Sequence, residues 1–187
     1  MTETTSGLSA LRKQKLSHLF RLMDLTGTGY IERDDLKNLI ERMVFARKVN
    51  NQDANGLEED LTRLWIKVAA LTDTDFNGQV TLDEWLKYFE HASSDEVFHE
   101  GMIRPIEEAF IDLLDTDGNG YITYSDYREM VLAWNVDESE LSHLFRLIDL
   151  NRNGRISRAE AKKAIHEFFM SDADVPGNWF FGDYTRA

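Results

Sequence analysis

The sequence predicts an all-α protein that consists of four helix–loop–helix units arranged as two paired, compactly packed lobes. Three observations lead to this fold class. A segment that begins at Ser17 recurs almost unchanged at Ser142. Apolar residues recur at helical spacing on both sides of four loops, and the 187 residues include only two prolines. Strands are therefore expected only as short β contacts between paired loops.

Four copies of one unit are visible along the chain. Residues 17–25 read Ser-His-Leu-Phe-Arg-Leu-Met-Asp-Leu, and residues 142–150 repeat them with a single change from Met to Ile. Weaker copies lead into loops at two intermediate places, as expected for an array of related units. The four loops begin at Asp24, Asp73, Asp115 and Asp149.

Each loop is flanked by segments whose apolar residues fall on one helical face. Around loop one these residues are Leu16, Leu19, Phe20 and Met23, then Leu36, Leu39, Ile40, Met43 and Val44. Around loop two they are Leu61, Leu64, Trp65, Val68 and Leu71, then Leu82, Trp85, Leu86 and Phe89. Around loop three they are Ile106, Phe110, Ile111 and Leu114, then Tyr127, Met130, Val131 and Trp134. After loop four they are Ala161, Ala164, Ile165, Phe168 and Phe169.

Two local signals mark helix starts in the second half of the chain. Pro105 lies where a first helical turn tolerates proline. Asp137 and Glu140 resemble a capping box that opens the helix before loop four. Eight helices, two for each loop, are therefore expected.

The loops carry oxygen-bearing residues at the spacing of a calcium-binding EF-hand loop. Such a loop has twelve residues and supplies oxygen ligands from positions 1, 3, 5, 7, 9 and 12, with glycine at position 6. The four candidate loops are 24–35, 73–84, 115–126 and 149–160. Each has an apolar residue at position 8, where paired loops join in a short two-stranded contact.

Loops two and four fill every ligand position. In loop two the candidate ligands are Asp73, Asp75, Asn77, Gln79 through its carbonyl, Thr81 through water, and Glu84. In loop four they are Asp149, Asn151, Asn153, Arg155 through its carbonyl, Ser157 and Glu160. Loop four carries less negative charge, because asparagine stands at positions 3 and 5.

Loop three departs from the pattern at its last position. Its candidate ligands are Asp115, Asp117, Asn119, Tyr121 through its carbonyl, Thr123 and Asp126. Asp126 is one methylene shorter than the usual glutamate, so it more readily offers one oxygen than two. Six-coordination at short distances suits Mg2+, and Mg2+ is therefore the expected competitor of Ca2+, above all at 115–126.

Loop one is predicted to bind weakly or not at all. Its candidate ligands are Asp24, Thr26, Thr28, Tyr30 through its carbonyl, Glu32 and Asp35. Thr26 and Thr28 replace the usual carboxylate or amide, although Glu32 at position 9 would restore some charge by binding directly. About three Ca2+ ions are expected per chain, and a fourth only if loop one fills.

An Asp-rich turn or a helix N-cap is the alternative explanation for any single match. Thr81 with Glu84, and Ser157 with Glu160, also satisfy the capping-box pattern. Three near-complete loops and a weakened fourth, each between amphipathic helices, favour ion binding over capping alone.

The chain resembles the sarcoplasmic calcium-binding proteins, a group that includes calexcitin and bacterial calerythrin. The resemblance covers nearly the whole length. It rests on the four loops, the long first linker, the aromatic helix Asp83-Glu-Trp-Leu and the ending Asp174-Val-Pro-Gly-Asn-Trp-Phe-Phe-Gly182. Loop one also looks like the first loop of coelenterazine-binding proteins, which share the fold. The resemblance implies a compact, two-lobed intracellular calcium buffer that often binds magnesium as well.

The predicted organisation has three parts. Residues 1–95 form an N-terminal EF-hand pair, residues 96–170 a C-terminal pair, and residues 171–187 an aromatic tail packed on the core. The connector from His91 to Glu100 is short, so the lobes are expected to pack together. The tail carries Trp179, Phe180, Phe181 and Tyr184. A disordered tail would not usually have this composition, so the tail is expected to fill an apolar groove, the alternative being an exposed tail that binds a partner.

A calcium buffer is the preferred function, because a docked tail occupies the surface that a sensor would expose. The six methionines are scattered rather than grouped as in a sensor groove. A sensor remains an alternative, and so does a calcium-regulated carrier of a small hydrophobic ligand, since the aromatic residues suffice to line a cavity. His18 and His143 share one position of the repeat and are expected at the surface or in caps, the alternative being a polar group at a cavity wall.

The composition argues against other functions. A formal net charge of -13 disfavours nucleic acid and anionic membranes and suits a protein that collects cations. There is no cysteine, and no nucleotide-binding or catalytic motif is present, so no enzymatic activity is expected. Without a signal-peptide stretch or a long apolar run, a cytoplasmic monomer is the expectation.

Overall fold

The computed structural model of the chain describes residues 7–47, 51–92, 103–115 and 117–185. Within these ranges the fold is made of eight α-helices and four short strands. The helices are α1 Ala10–Met23, α2 Arg33–Arg47, α3 Asn51–Thr72, α4 Leu82–Ala92, α5 Arg104–Leu114, α6 Tyr124–Ala133, α7 Leu141–Ile148 and α8 Arg158–Met170. The strands are β1 Tyr30–Ile31, β2 Val80–Thr81, β3 Tyr121–Thr123 and β4 Arg155–Ser157. The predicted all-α class is confirmed.

The loops pair in two antiparallel contacts. Strand β1 pairs with β2, with Ile31 opposite Val80. Strand β3 pairs with β4, with Ile122 opposite Ile156. These four position-8 side chains are at most 2% exposed, so each contact closes over an apolar centre that holds two ion loops side by side.

The helix before loop four begins later than the capping pattern predicts. The Asp137 side chain accepts a hydrogen bond from the Ser139 amide and so caps a 3-10 turn over Glu138–Glu140. Helix α7 then begins at Leu141. Asp137 therefore opens a 3-10 turn that leads into the helix, and Glu140 makes no side-chain cap at the start of α7.

The two halves share one hydrophobic core. Helix α1 contacts both α4 and α8, α2 packs on α6, and α3 packs on α5. Across the boundary, the rings of Phe89 and Phe169 stack with centroids 5.3 Å apart. The expected connector from His91 to Glu100 has residues 93–100 outside the described part of the chain.

The C-terminal segment lies in an apolar groove formed by the other helices. Phe180 and Phe181 are 0% and 1% exposed, and Tyr184 is buried. The Phe181 ring contacts Phe110, Trp134 and Phe168 at centroid distances of 5.2, 5.3 and 4.6 Å. The hydroxyl of Tyr127 donates to the Phe180 carbonyl at 2.6 Å.

Helix α1 also contacts the C-terminal segment. Lys15 is fully buried, and its ammonium donates to the carbonyls of Glu167 and Ser171 and to Asn178 Oδ1, at 3.0, 2.9 and 2.7 Å. A cation at the carbonyl end of a helix also interacts favourably with the helix dipole. Burial lowers the pKa of Lys15 to about 8. This side chain therefore ties the first helix to the end of α8 and to the tail.

The two repeated histidines differ in their surroundings. His143 is exposed, in agreement with its expected surface position. The same expectation for His18 is wrong, because His18 is buried and its Nε2 lies 3.0 Å from the Phe181 carbonyl. Burial lowers the pKa of His18, so the neutral ring holds the tail backbone.

Candidate metal centres

The four loops share one backbone arrangement around their first aspartate. In each loop the amide of the position-6 glycine donates to the Oδ2 atom of the position-1 aspartate. The distances are 2.8 Å for Gly29 to Asp24, 2.9 Å for Gly78 to Asp73, 3.1 Å for Gly120 to Asp115 and 2.8 Å for Gly154 to Asp149. This bond curls each loop around its first carboxylate.

Positions 4 and 6 of loop two both need the left-handed backbone region. Gly78 has a φ of +84°, where glycine has no steric cost. Phe76 has a φ of +57° and is 85% exposed. A side chain in this region is uncommon, so the turn around the ion position is imposed by the loop against the preference of Phe76.

Loop two brings three carboxylates together. Oxygens of Asp73, Asp75 and Glu84 all lie within 4.8 Å of one another. Among the residues that the structure describes, these three form the one such group of at least three His, Cys, Asp or Glu side chains. The donor set is all oxygen, which fits the preference of Ca2+.

Hydrogen bonds hold the closing glutamate of loop two in place. Glu84 Oε1 accepts from the amide and hydroxyl of Thr74, and Oε2 from the amide and hydroxyl of Thr81, at 2.7 to 3.0 Å. Partial burial would raise the pKa of Glu84, but these bonds outweigh it and lower the pKa to about 2. The carboxylate is therefore ionised and oriented before an ion arrives.

Loop four has the same arrangement with two carboxylates. Glu160 Oε2 accepts from the amide and hydroxyl of Ser157 at 2.9 and 2.7 Å, which makes a capping box at the start of α8. Asn151 Oδ1 accepts from the Asn153 amide at 3.0 Å, and Asn153 Oδ1 from the Arg155 amide at 3.0 Å. Capping and ion binding therefore use the same glutamate and do not exclude each other.

Loop three has the shorter side chain of Asp126 at its last position. Asp126 Oδ2 accepts from the Thr123 amide and hydroxyl at 2.8 and 2.7 Å. Although Asp115, Asp117 and Asp126 are all described, they do not form a group within 4.8 Å as the carboxylates of loop two do. The difference agrees with the missing methylene at position 12.

We expect Asp126→Glu to raise the preference of loop three for Ca2+ over Mg2+. The longer side chain would let both oxygens reach the ion, which favours the larger coordination number of Ca2+. Competition titrations with the two ions, followed at the Gly120 amide, measure the effect. An unchanged Ca2+/Mg2+ preference would show that position 12 does not set ion choice here.

Loop one is closed by its own hydrogen bonds. Asp35 is 1% exposed; its Oδ1 accepts from the amide and hydroxyl of Thr26, both at 2.8 Å, and its Oδ2 from the Glu32 amide at 2.8 Å. The Tyr30 carbonyl, the candidate position-7 ligand, accepts from the Thr28 hydroxyl at 3.1 Å. Threonine hydroxyls therefore take up acceptors that an ion would need.

Glu32 contacts the paired loop through one of its carboxylate oxygens. Its Oε2 accepts from the Gln79 side chain of loop two at 3.2 Å. The extra charge at position 9 thus serves a contact between the paired loops.

One contact near the candidate sites was not expected from the sequence. Arg158 follows β4 directly, and its guanidinium reaches Asp115 Oδ2 at 3.2 Å. The only signal was that Arg158 and Arg33 occupy the same place in the repeat. Its partner Asp115 lies 43 residues away, so no local pattern indicates the contact.

The comparisons with known proteins agree with this geometry. The family model of an EF-hand domain pair matches residues 13–90, and the EF-hand model matches residues 106–131 and 141–163. The chain belongs to the EF-hand family. Troponin C isoform 2 of Caenorhabditis elegans is 30% identical over 151 residues, which cover 80% of this chain and 86% of the relative.

Matches of lower identity extend over nearly the whole chain. The luciferin-binding protein of Renilla reniformis is 23% identical over 97% of this chain and 98% of its own length. The fold is also similar to calcium-loaded coelenterazine-binding protein from Renilla muelleri, with a TM-score of 0.80 and 20% identity over 98% and 99% of the two chains. The fold is similar, too, to an amphioxus sarcoplasmic calcium-binding protein, with a TM-score of 0.73 and 16% identity over 95% of this chain and 99% of the other. The resemblance to the sarcoplasmic calcium-binding group is confirmed.

Proposed function

We propose that this protein is an intracellular Ca2+ buffer that also takes up Mg2+. The observation that carries the proposal is the occupied groove: the tail residues Phe180 and Phe181 fill the apolar surface between α5, α6 and α8. A sensor has to expose such a surface to a partner when Ca2+ binds. An internal segment that already covers it favours storage of ions over signalling.

The ion sites of the proposal are loops two, three and four. Their position-1 aspartates Asp73, Asp115 and Asp149 are anchored by glycine amides, and the closing carboxylates Glu84, Asp126 and Glu160 by hydroxyl and amide donors. Loop one has threonine at positions 3 and 5, and its Thr28 hydroxyl donates to the position-7 carbonyl of Tyr30, so it is proposed to stay empty or to bind weakly.

Calcium should raise the melting temperature strongly and add little binding of a hydrophobic dye. Three divalent ions add six positive charges to a formal charge of -13, leaving -7, and they relieve repulsion inside the loops. A ligand that binds only the folded state stabilises it by about 2.7 kcal/mol per site at one hundred times its dissociation constant. Thermal melts and dye fluorescence, with and without Ca2+, test both parts. Strong calcium-induced dye binding would contradict the buffer proposal and favour a sensor.

A carrier of a small hydrophobic ligand is the second candidate. An apolar cleft between the two halves is lined by Leu61, Trp65, Phe110 and Trp134, with Asp35 at its edge. Its cavity volume is about 40 Å3, which is room for a few water molecules. A carried molecule would therefore require the halves to move apart.

The matches to proteins named for luciferin and coelenterazine support a direct test of the carrier. Coelenterazine is titrated against the intrinsic tryptophan fluorescence, because two of the four tryptophans, Trp65 and Trp134, line this cleft. Saturable quenching at stoichiometric ligand would favour the carrier. Absence of quenching in both the calcium-free and the calcium-loaded protein would contradict the carrier and leave the buffer as the proposed function.

A further inference from the structure

A side chain from loop four pairs with the first ligand of loop three. Arg158 Nη1 lies 3.2 Å from Asp115 Oδ2, and Nη2 lies 2.7 Å from Asp112 Oδ1. The backbone brings the residue there, because the Arg158 amide donates to the Gly120 carbonyl at 3.1 Å. Arg158 is thus held on loop three by its main chain as well as by its charge.

The contact involves a buried ligand group. The Asp115 side chain is 1% exposed, whereas that of Arg158 is 43% exposed. Asp115 Oδ2 also accepts from the Gly120 amide at 3.1 Å. The guanidinium therefore contacts the carboxylate that would supply the first ligand oxygen of loop three.

We propose that Arg158 lowers the Ca2+ affinity of loop three. The inference rests on the proposed function, because it assumes that loop three binds an ion. Two electrostatic effects act in the same direction. The guanidinium neutralises part of the repulsion among Asp115, Asp117 and Asp126 when the loop is empty, and it repels a cation when the loop fills. The partial exposure of Arg158 screens both effects, so a change of about 3- to 10-fold in affinity is expected on its removal.

The repeat provides a matched control. Arg33 occupies the same position at the start of α2, beside the pair of loops one and two. Both Arg33 and Asp73 are described, and the structure shows no ion pair between them. Arg33→Gln thus removes the same charge from the corresponding place without breaking a bond to a ligand.

The experiment follows each loop by its own glycine. With 15N-glycine labelling, the amides of Gly78, Gly120 and Gly154 report loops two, three and four, because each donates to the position-1 aspartate. In Arg158→Gln, the Gly120 midpoint should move to about 3- to 10-fold lower free Ca2+, with the Gly78 midpoint within about twofold of wild type. Arg33→Gln should leave the Gly120 midpoint within about twofold.

A conservative variant separates charge from shape. Arg158→Lys keeps the positive charge, so its Gly120 midpoint should stay close to wild type. An unchanged or higher midpoint in Arg158→Gln would overturn the inference, the latter because Arg158 would then support Asp115 as a ligand. A rise in affinity cannot result from simple structural damage.

Failure of the inference and failure of the proposed function are distinguishable. Asp115→Asn should abolish the calcium response of Gly120 at micromolar Ca2+. If the wild-type Gly120 amide does not respond to Ca2+ at all, loop three is not a site and the proposed function fails there. If Gly120 responds and Asp115→Asn removes the response, an unmoved midpoint in Arg158→Gln refutes only the role of Arg158.

Discussion

Removal of residues 173–187 should lower the free energy of unfolding of the calcium-loaded protein by about 3–6 kcal/mol. The deletion removes two fully buried phenylalanines, and burial of each contributes about 1.5–3 kcal/mol. Phe180 and Phe181 are 0% and 1% exposed. Their loss would uncover Phe110, Trp134 and Phe168, which pack on Phe181. The same deletion should open an apolar groove, so dye binding should rise in the presence of Ca2+.

The deletion also removes hydrogen-bond partners from buried groups. Tyr127 loses the Phe180 carbonyl, His18 the Phe181 carbonyl, and Lys15 the Asn178 side chain. A buried polar group left without its partner costs about 1–3 kcal/mol. Urea denaturation and dye fluorescence measure the two consequences. A truncated protein with wild-type stability and no new dye binding would show that the tail is not docked in solution.

A point variant tests the same docking if the truncated chain fails to fold. A Cβ on Gly177 would lie 2.4 Å from the Ala164 carbonyl oxygen and 2.5 Å from Glu167 Cβ. Gly177→Ala should therefore displace the tail and destabilise the protein by about 1–3 kcal/mol. At Gly56 in α3 a Cβ meets nothing within 4 Å, and Gly56→Ala should stabilise by about 0.5–1 kcal/mol. Equal effects of the two variants would contradict a close approach at Gly177.

Alanine at Asp73, Asp115 or Asp149 should each remove about one equivalent of bound Ca2+. Each of these side chains is the proposed first ligand of its loop and accepts a hydrogen bond from the glycine amide at position 6. Asp24→Ala is the matched control, because it removes the same residue type and the same glycine bond from loop one. Calorimetric titration gives the stoichiometry, and Asp24→Ala should leave it unchanged. A wild-type protein that holds fewer than two ions at saturating Ca2+ would contradict the assignment of ligands.

The order of the elements and the pairing of the loops were predictable from local patterns. The repeat around Ser17 and Ser142 and the apolar residues at position 8 indicate four units joined in two pairs, and the pairs of Ile31 with Val80 and of Ile122 with Ile156 are found. Such features depend on residues a few positions apart. Periodicity therefore carries most of the information about the fold.

The contacts that were not predictable join distant parts of the chain. Lys15 binds Asn178 across 163 residues, and His18 reaches Phe181 across the same separation. The buried lysine has no local signal, because two of its three partners are main-chain carbonyls, which any residue offers. The salt bridge of Arg158 with Asp115 is of the same kind.

The closure of loop one was only partly predictable from the sequence. Thr26 and Thr28 at ligand positions indicated a weakened site, but not what would replace the ion. In the structure, hydrogen bonds stand where an ion would bind Asp35, since the Thr26 amide and hydroxyl both donate to this carboxylate. A hydroxyl at position 3 can thus act as donor to the closing carboxylate, a choice that depends on the folded geometry.

An NMR titration of the 15N-glycine-labelled protein with Ca2+ tests the central claim most directly. The amides of Gly29, Gly78, Gly120 and Gly154 each donate to the position-1 aspartate of a different loop, so one spectrum reports all four. We predict that Gly78, Gly120 and Gly154 all shift and are all saturated by three equivalents of Ca2+, each with its own midpoint, while Gly29 stays in place or moves only at a large excess. A response confined to one of the three, or a Gly29 amide that saturates first, would contradict the account.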